Sequence, residues 1–176
     1  MARSGIGAET ELGTLANLFG RRLRAWGLLQ DRFGRVRRSF TADIDGRLDG
    51  QTLILQEAFV FGDGARSDRC WRIWAMSPGR FAGEADDIVG RARGRQTEEA
   101  VIWRYRMRLP VGKRQWTFAF HDWMYPQADG SIINRVEIRK FGVRVADLTI
   151  MLQPAAEISA LKPSSPVRGR AAPAAA

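Results

Sequence analysis

Alternation of apolar and polar residues is the dominant pattern of this chain. In the run Val101-Ile102-Trp103-Arg104-Tyr105-Arg106-Met107-Arg108-Leu109 the odd positions are apolar or aromatic and the even ones are mostly arginine, the pattern of a strand with one dry and one wet face. Pro110 and Gly112 mark a turn. The segment 115–125 then resumes the alternation, with Trp116, Phe118, Phe120, Asp122 and Met124 on one phase and Thr117, Ala119, His121, Trp123 and Tyr125 on the other. The same grammar predicts strands over 21–30, 35–45, 51–61, 68–76, 80–87, 131–140 and 143–152, separated by turn signals such as Asp49-Gly50, Gly62-Asp63-Gly64 and Ser77-Pro78-Gly79. The stretch 90–99 fits either a continuing strand or a mobile basic loop. About nine short, closely spaced strands predict an all-β antiparallel meander, and closing it into a barrel removes the exposed edges. An open two-layer sandwich is the competing arrangement.

Two segments depart from the alternation. Leu12, Leu15, Leu18 and Phe19 recur at helical spacing, which predicts a short helix that ends at Gly20 and plugs one end of the barrel. After Leu152 the chain turns to Pro, Ala and Ser, a composition that buries too little surface to offset its ordering entropy. The expected organisation is a flexible N-terminus over 1–10, one β domain over 11–153 and a disordered tail over 154–176.

Composition narrows the function classes. With 176 residues, 45% of them hydrophobic, 6 Trp and 9 Phe, the chain has the means to build one substantial core. Its single cysteine, Cys70, precludes an internal disulfide, and no Cys/His cluster suggests a metal or a cofactor. The formal charge is +9, carried mostly by arginine. The arginines scatter along the polar phases rather than converging, and no helix-turn-helix, RNA-recognition or zinc-finger pattern is present, so nucleic acid is not an expected partner. The first twenty residues lack an apolar leader, and no segment reaches the roughly 20 apolar residues of a membrane span, which sets a cytoplasmic location as the expectation.

Strand parity supplies the candidate chemistry. If the larger apolar side of each strand faces inward, Glu57 joins Leu55 and Phe59 inside, Arg69 joins Trp71, and Arg38 joins Phe40. Tyr105, Asp122 and Asn134 enter by the same count, alongside Trp103, Phe118 and Phe120. A lone buried carboxylate is costly, so Glu57 and Asp122 need partners, and Arg38 and Arg69 are the cheapest available. These groups could simply satisfy one another as structural ion pairs. Alternatively they hold the polar part of a small ligand whose apolar body lies on the aromatic side chains. Glu57 and Asp122 are also weak candidates for a catalytic acid/base pair. His121 falls on the opposite phase, on the surface or rim, so no His-Asp dyad forms within one strand. A further possibility is a surface for acidic partners or anionic lipid, with Arg91, Arg93 and Arg95 as its expected contacts.

The ordered set Ala25-Trp26-Gly27, Asp31-Arg32-Phe33-Gly34, Glu57-Ala58-Phe59-Val60-Phe61-Gly62-Asp63-Gly64, Arg69-Cys70-Trp71, Trp103-Arg104-Tyr105 and Asp122-Trp123-Met124-Tyr125 resembles the uncharacterised bacterial DUF3833 family over roughly residues 15–152. That resemblance implies a lipocalin-like barrel, often a lipoprotein, with a fatty-acyl or similar amphipathic ligand. It carries no assigned activity. This chain departs from the lipoprotein pattern in lacking a cysteine near its start, and from the lipocalin pattern in reversing the order of Trp26 and Gly27. The functional expectation is therefore a lipocalin-like binder of a small amphipathic or acyl ligand, with Arg38 and Arg69 as carboxylate anchors.

Overall fold

In the computed structural model, which describes residues 12–155, the alternating segments close on themselves. A short helix, α1 (Gly13–Phe19), precedes β1 (Arg22–Asp31), β2 (Val36–Asp49), β3 (Thr52–Phe61), β4 (Arg66–Ser77) and β5 (Arg80–Glu84). Then come β6 (Ala92–Gln96), β7 (Val101–Val111), β8 (Arg114–Pro126), β9 (Ile132–Lys140) and β10 (Val143–Pro154). Each strand pairs antiparallel with the next, and β1 pairs with β10 from Leu23 opposite Pro154 to Asp31 opposite Ala146, closing the barrel. The sandwich alternative is thereby excluded, since among the described residues every strand has a paired neighbour on each side.

The barrel has ten strands where the alternation suggests about nine. The additional one is β6, in the ambiguous 90–99 stretch. Its inward residues are Ala92 and Gly94, both buried, while Arg93 and Arg95 are exposed. Small inner residues hide the period, and Trp103 explains them: a Cβ at Gly94 would stand 2.9 Å from the indole, so the ring occupies the space a larger side chain would need. The expected strand 80–87 stops at Glu84, and the chain folds back over the barrel wall until Ile88 bridges Met107.

The helix closes one end, as its spacing predicts. Leu12, Leu15 and Phe19 are buried in the same cluster as Leu23, Leu53 and Ile132. Polar contacts seat the plug: the Gly46 N–H donates to Arg21 O at 3.1 Å, Arg21 Nη2 donates to Gly130 O at 2.9 Å, and Gln96 Nε2 donates to Thr14 Oγ1 at 2.9 Å. Gly46 has no room for a side chain, since a Cβ would lie 1.6 Å from Phe19 O. The turns β2–β3, β4–β5, β6–β7 and β8–β9 share this end, and the other five turns ring the open mouth. Pro154, expected to begin the tail, is the last residue of β10. The predicted flexible N-terminus and the predicted tail from residue 156 onward lie outside the described residues. No helix of the described residues is long and apolar enough to cross a membrane.

Candidate functional site

Inward-facing side chains do not fill the barrel. A cavity of about 370 Å³ runs from Leu15 and Phe19 on the plug to Arg38, Phe61 and Pro110 at the mouth. Its wall is mainly aromatic and aliphatic, and a belt of polar groups crosses it at mid-depth: Glu57, Arg69, Tyr105, Asp122 and Asn134. Parity delivers each of them. Glu57 sits opposite Arg69 in the β3–β4 register, Asp122 lies between Trp103 on β7 and Val136 on β9, and Asn134 stands opposite Met124.

Asp122 is 4% exposed and is held by neutral partners. Asn134 Nδ2 donates to its Oδ1 and also to Trp123 O at 3.1 Å, while the Tyr105 hydroxyl donates to its Oδ2 at 3.3 Å. Burial pushes the Asp122 carboxyl up to about 7, against the lowering effect of those hydrogen bonds, and the Glu57 charge adds to the rise. Burial, with the Asp122 charge second, also raises the Tyr105 phenol, so it remains a hydroxyl donor. Its ring stacks on Phe120 at 5.1 Å and meets Trp71 edge-on at 5.6 Å, which fixes the hydroxyl's aim.

Glu57 has the opposite problem. Its Oε2 is 3.5 Å from Arg69 Nη1, an ion-pair distance without a formed hydrogen bond, and that oxygen has no other partner among the described residues. Burial raises Glu57 to about 7, partly offset by the Arg69 charge and reinforced by Asp87. Arg69 is already committed. Its Nε and Nη2 donate to Asp87 Oδ2 at 3.0 and 2.7 Å, a two-pronged pair with a carboxylate on the β5–β6 loop. Asp87, at the end of the expected strand 80–87, is the site residue that strand parity misses: β5 stops at Glu84, and the loop that follows carries the carboxylate to Arg69.

Arg38 corrects the expected pairing. It has the inward phase but lies where β2 projects past the wall, its side chain 41% exposed, bound to Asp63 at 3.2 Å and stacked 3.6 Å over Phe61. It pairs with neither buried carboxylate and forms part of the mouth. Beneath it Phe40, Phe59 and Phe61 form an aromatic cluster with centroid separations of 5.4 to 6.1 Å. Of the expected apolar lining, Trp71, Trp103 and Phe120 face the cavity. Phe118 does not: it packs half-buried against the satellite cluster of Met107, Phe120 and Ile138, near Lys140. His121 is on the outer face against Trp123, where partial burial and the nearby Arg104 and Arg139 lower its pKa. Arg93 and Arg95 point outward from β6, and Arg91 lies 5.5 Å over the Trp74 ring. Among the described residues no group of three or more His, Cys, Asp or Glu side chains is arranged to hold a metal.

A family described as "Protein of unknown function (DUF3833)" matches residues 7–154. Among solved structures the chain is similar to the S-type phycobiliprotein lyase CPES from Guillardia theta, with a TM-score of 0.58 over 85% of this chain and 96% of that one. The sequence identity is 6%, so the likeness is one of fold, a lipocalin-like barrel. None of the curated proteins matches the chain.

Proposed function

The chain belongs to the DUF3833 family, and we propose that it binds a small amphipathic ligand within its barrel. The observation that carries this reading is the cavity itself: about 370 Å³, floored by the plug, open at a mouth that Arg38 and Ser67 help line, and otherwise apolar except for one belt of convergent polar groups. That mixture is the usual composition of a small-molecule site, and the volume lies at the lower end of the usual range. An acyl chain or similar apolar body enters first and lies against Trp71, Trp103 and Phe120. The head stays at the mouth, where Arg38 is accessible above the phenyl cluster. The belt then meets a polar group part-way along the ligand. Because Arg69 is taken by Asp87, that group is a hydroxyl, carbonyl or amide rather than a carboxylate.

The test is a fluorescence titration of delipidated protein with cis-parinaric acid, whose polyene accepts energy from the lumenal indoles Trp71 and Trp103. Saturable transfer, weakened by the double substitution of Trp71 and Trp103 by Phe, is the expected result. Transfer that grows linearly with probe and ignores that substitution would remove the reading.

A second reading is favoured by one observation: two carboxyls, Glu57 and Asp122, line one cavity, where burial pushes each up to about 7. Such a pair is suited to general acid/base work on the bound ligand. Under it, Asp122→Asn retains ligand but no longer converts it, as read by mass spectrometry of the extracted ligand after incubation. Equal conversion by both proteins would exclude the pair.

A further inference from the structure

The mouth is asymmetric. Three of its turns, β1–β2, β9–β10 and β7–β8, are neighbours along one arc, because β2, β1, β10, β9, β8 and β7 are consecutive around the barrel. Each tip exposes an apolar side chain: Phe33 at 69%, Phe141 at 87% and Val111 at 50%. Val36 and Val143, beside the first two, are 56% and 58% exposed. Among the described residues, of the large apolar side chains at least half exposed, only Met76 lies elsewhere. Solvated surfaces scatter such residues singly, whereas here they gather on one rim.

Phe141 is the sharpest case. It occupies the first position of a two-residue hairpin turn with φ of 50°, followed by Gly142 at 80°. That turn takes Asn-Gly or Asp-Gly at least strain, and a bulky aromatic residue in the left-handed region is an energetic disadvantage with no buried contact to repay it. Lys140 holds the ring from below, its Nζ 4.7 Å from the centroid and bonded to Thr117 O at 2.7 Å.

Charge accompanies the apolar tips. Arg32 and Arg35 flank Phe33, and Lys113 and Arg114 follow Val111; none of the four forms a salt bridge among the described residues. The two turns on the far side of the mouth instead carry Asp63, Asp86 and Asp87. A cluster of exposed phenyl and isopropyl groups ringed by unpaired cations matches the boundary of an anionic bilayer, where the apolar groups reach the acyl layer and the cations meet lipid phosphates.

We propose that this arc, rather than Arg91, Arg93 and Arg95, docks the barrel on an anionic lipid surface. Docking there turns the mouth toward the bilayer, and exchange of ligand between membrane and lumen rests on the binding reading above.

The experiment is flotation of the purified chain with vesicles of phosphatidylcholine alone or with one-third phosphatidylglycerol, at low and high salt. The chain should float with the anionic vesicles, and binding should fall steeply as salt is raised. Replacing Phe33 by Ser together with Phe141→Asn should weaken vesicle binding about tenfold or more, since two apolar anchors are lost. The F141N change suits the turn, so the F141N single variant should melt no lower than the parent while binding less. The pair R93E and R95E, on the barrel wall, should bind within about twofold of the parent. Failure to float with anionic vesicles, or equal loss in the wall pair, overturns the proposal. cis-Parinaric acid binding in solution is measured on the same variants. Retained probe binding without flotation refutes docking alone, whereas flotation without probe binding refutes the lumenal reading alone.

Discussion

Replacing Asp122 with asparagine tests the environment of the polar belt. The amide has the same shape: its oxygen accepts from Asn134 as Oδ1 does, and its nitrogen can donate to the Tyr105 hydroxyl in place of accepting from it. Only the ionisation is lost. In the folded protein the carboxyl rises from its ordinary 3.8 to about 7, roughly three pH units at about 1.4 kcal/mol each. The sign follows from proton uptake. Between those two values the folded state holds a proton that the unfolded chain has released, so the contribution is fully present below about pH 4 and is lost as the pH rises through about 7. From pH 5 to pH 8 the wild type should therefore lose about 2.5 kcal/mol relative to Asp122→Asn. Urea denaturation of both proteins, stripped of ligand, at each pH unit across that range measures the gap. Carboxyls not coupled to Asp122 cancel in the difference, and Glu57, whose charge contributes to the rise, is held constant by measuring both proteins in the Glu57→Gln background as well. A gap that stays constant with pH, or one that moves in the wild type's favour, would mean that Asp122 is solvated and charged, and the belt as described would not exist.

Three further outcomes follow from the same contacts. Glu57→Gln should lower the midpoint at which Asp122 titrates, because the Glu57 charge contributes to its rise, and carboxyl-carbon NMR shifts would show an unmoved midpoint if the two were independent. Arg69→Met strands Asp87 and Glu57 together and should cost about 3–5 kcal/mol in urea, with Asp87→Asn recovering part of it; a near-neutral result would show the ion pair to be solvated. Gly94→Ala forces the Trp103 indole aside and should cost about 1–3 kcal/mol with a shift in tryptophan emission, whereas unchanged stability and emission would place the ring elsewhere.

Much of the architecture was legible because alternation is an unusually direct signal. Trp103, Tyr105 and Met107 facing in, with the arginines between them facing out, fixes a wall, and neighbouring strands with tight turns fix antiparallel order. The belt was legible by the same parity, residue by residue, as Glu57, Tyr105, Asp122 and Asn134 show. What parity cannot supply is the third dimension. It assigns Arg38 to the inner phase but not its height, and at the end of a projecting strand the inner phase faces solvent and Asp63. Phe118 keeps its phase and still misses the cavity. Asp87 was missed because the expected strand 80–87 ends at Glu84 and the chain then leaves the alternation, and β6 was hidden because its inner side chains are Ala92 and Gly94, sized to a neighbour 9 residues away in sequence at Trp103. The apolar tips at Phe33 and Phe141 are plain in the sequence as residues, but their gathering on one rim depends on barrel closure.

The central claim is that the lumen holds an amphipathic ligand, and native mass spectrometry of the purified chain, followed by organic extraction, tests it most directly. The account predicts a mass above that of the polypeptide, released on extraction as an acyl or similarly amphipathic compound and diminished when the lumenal Ala25 or Ala42 is enlarged to Phe. A bare polypeptide mass that cis-parinaric acid and other acyl probes fail to increase would contradict it.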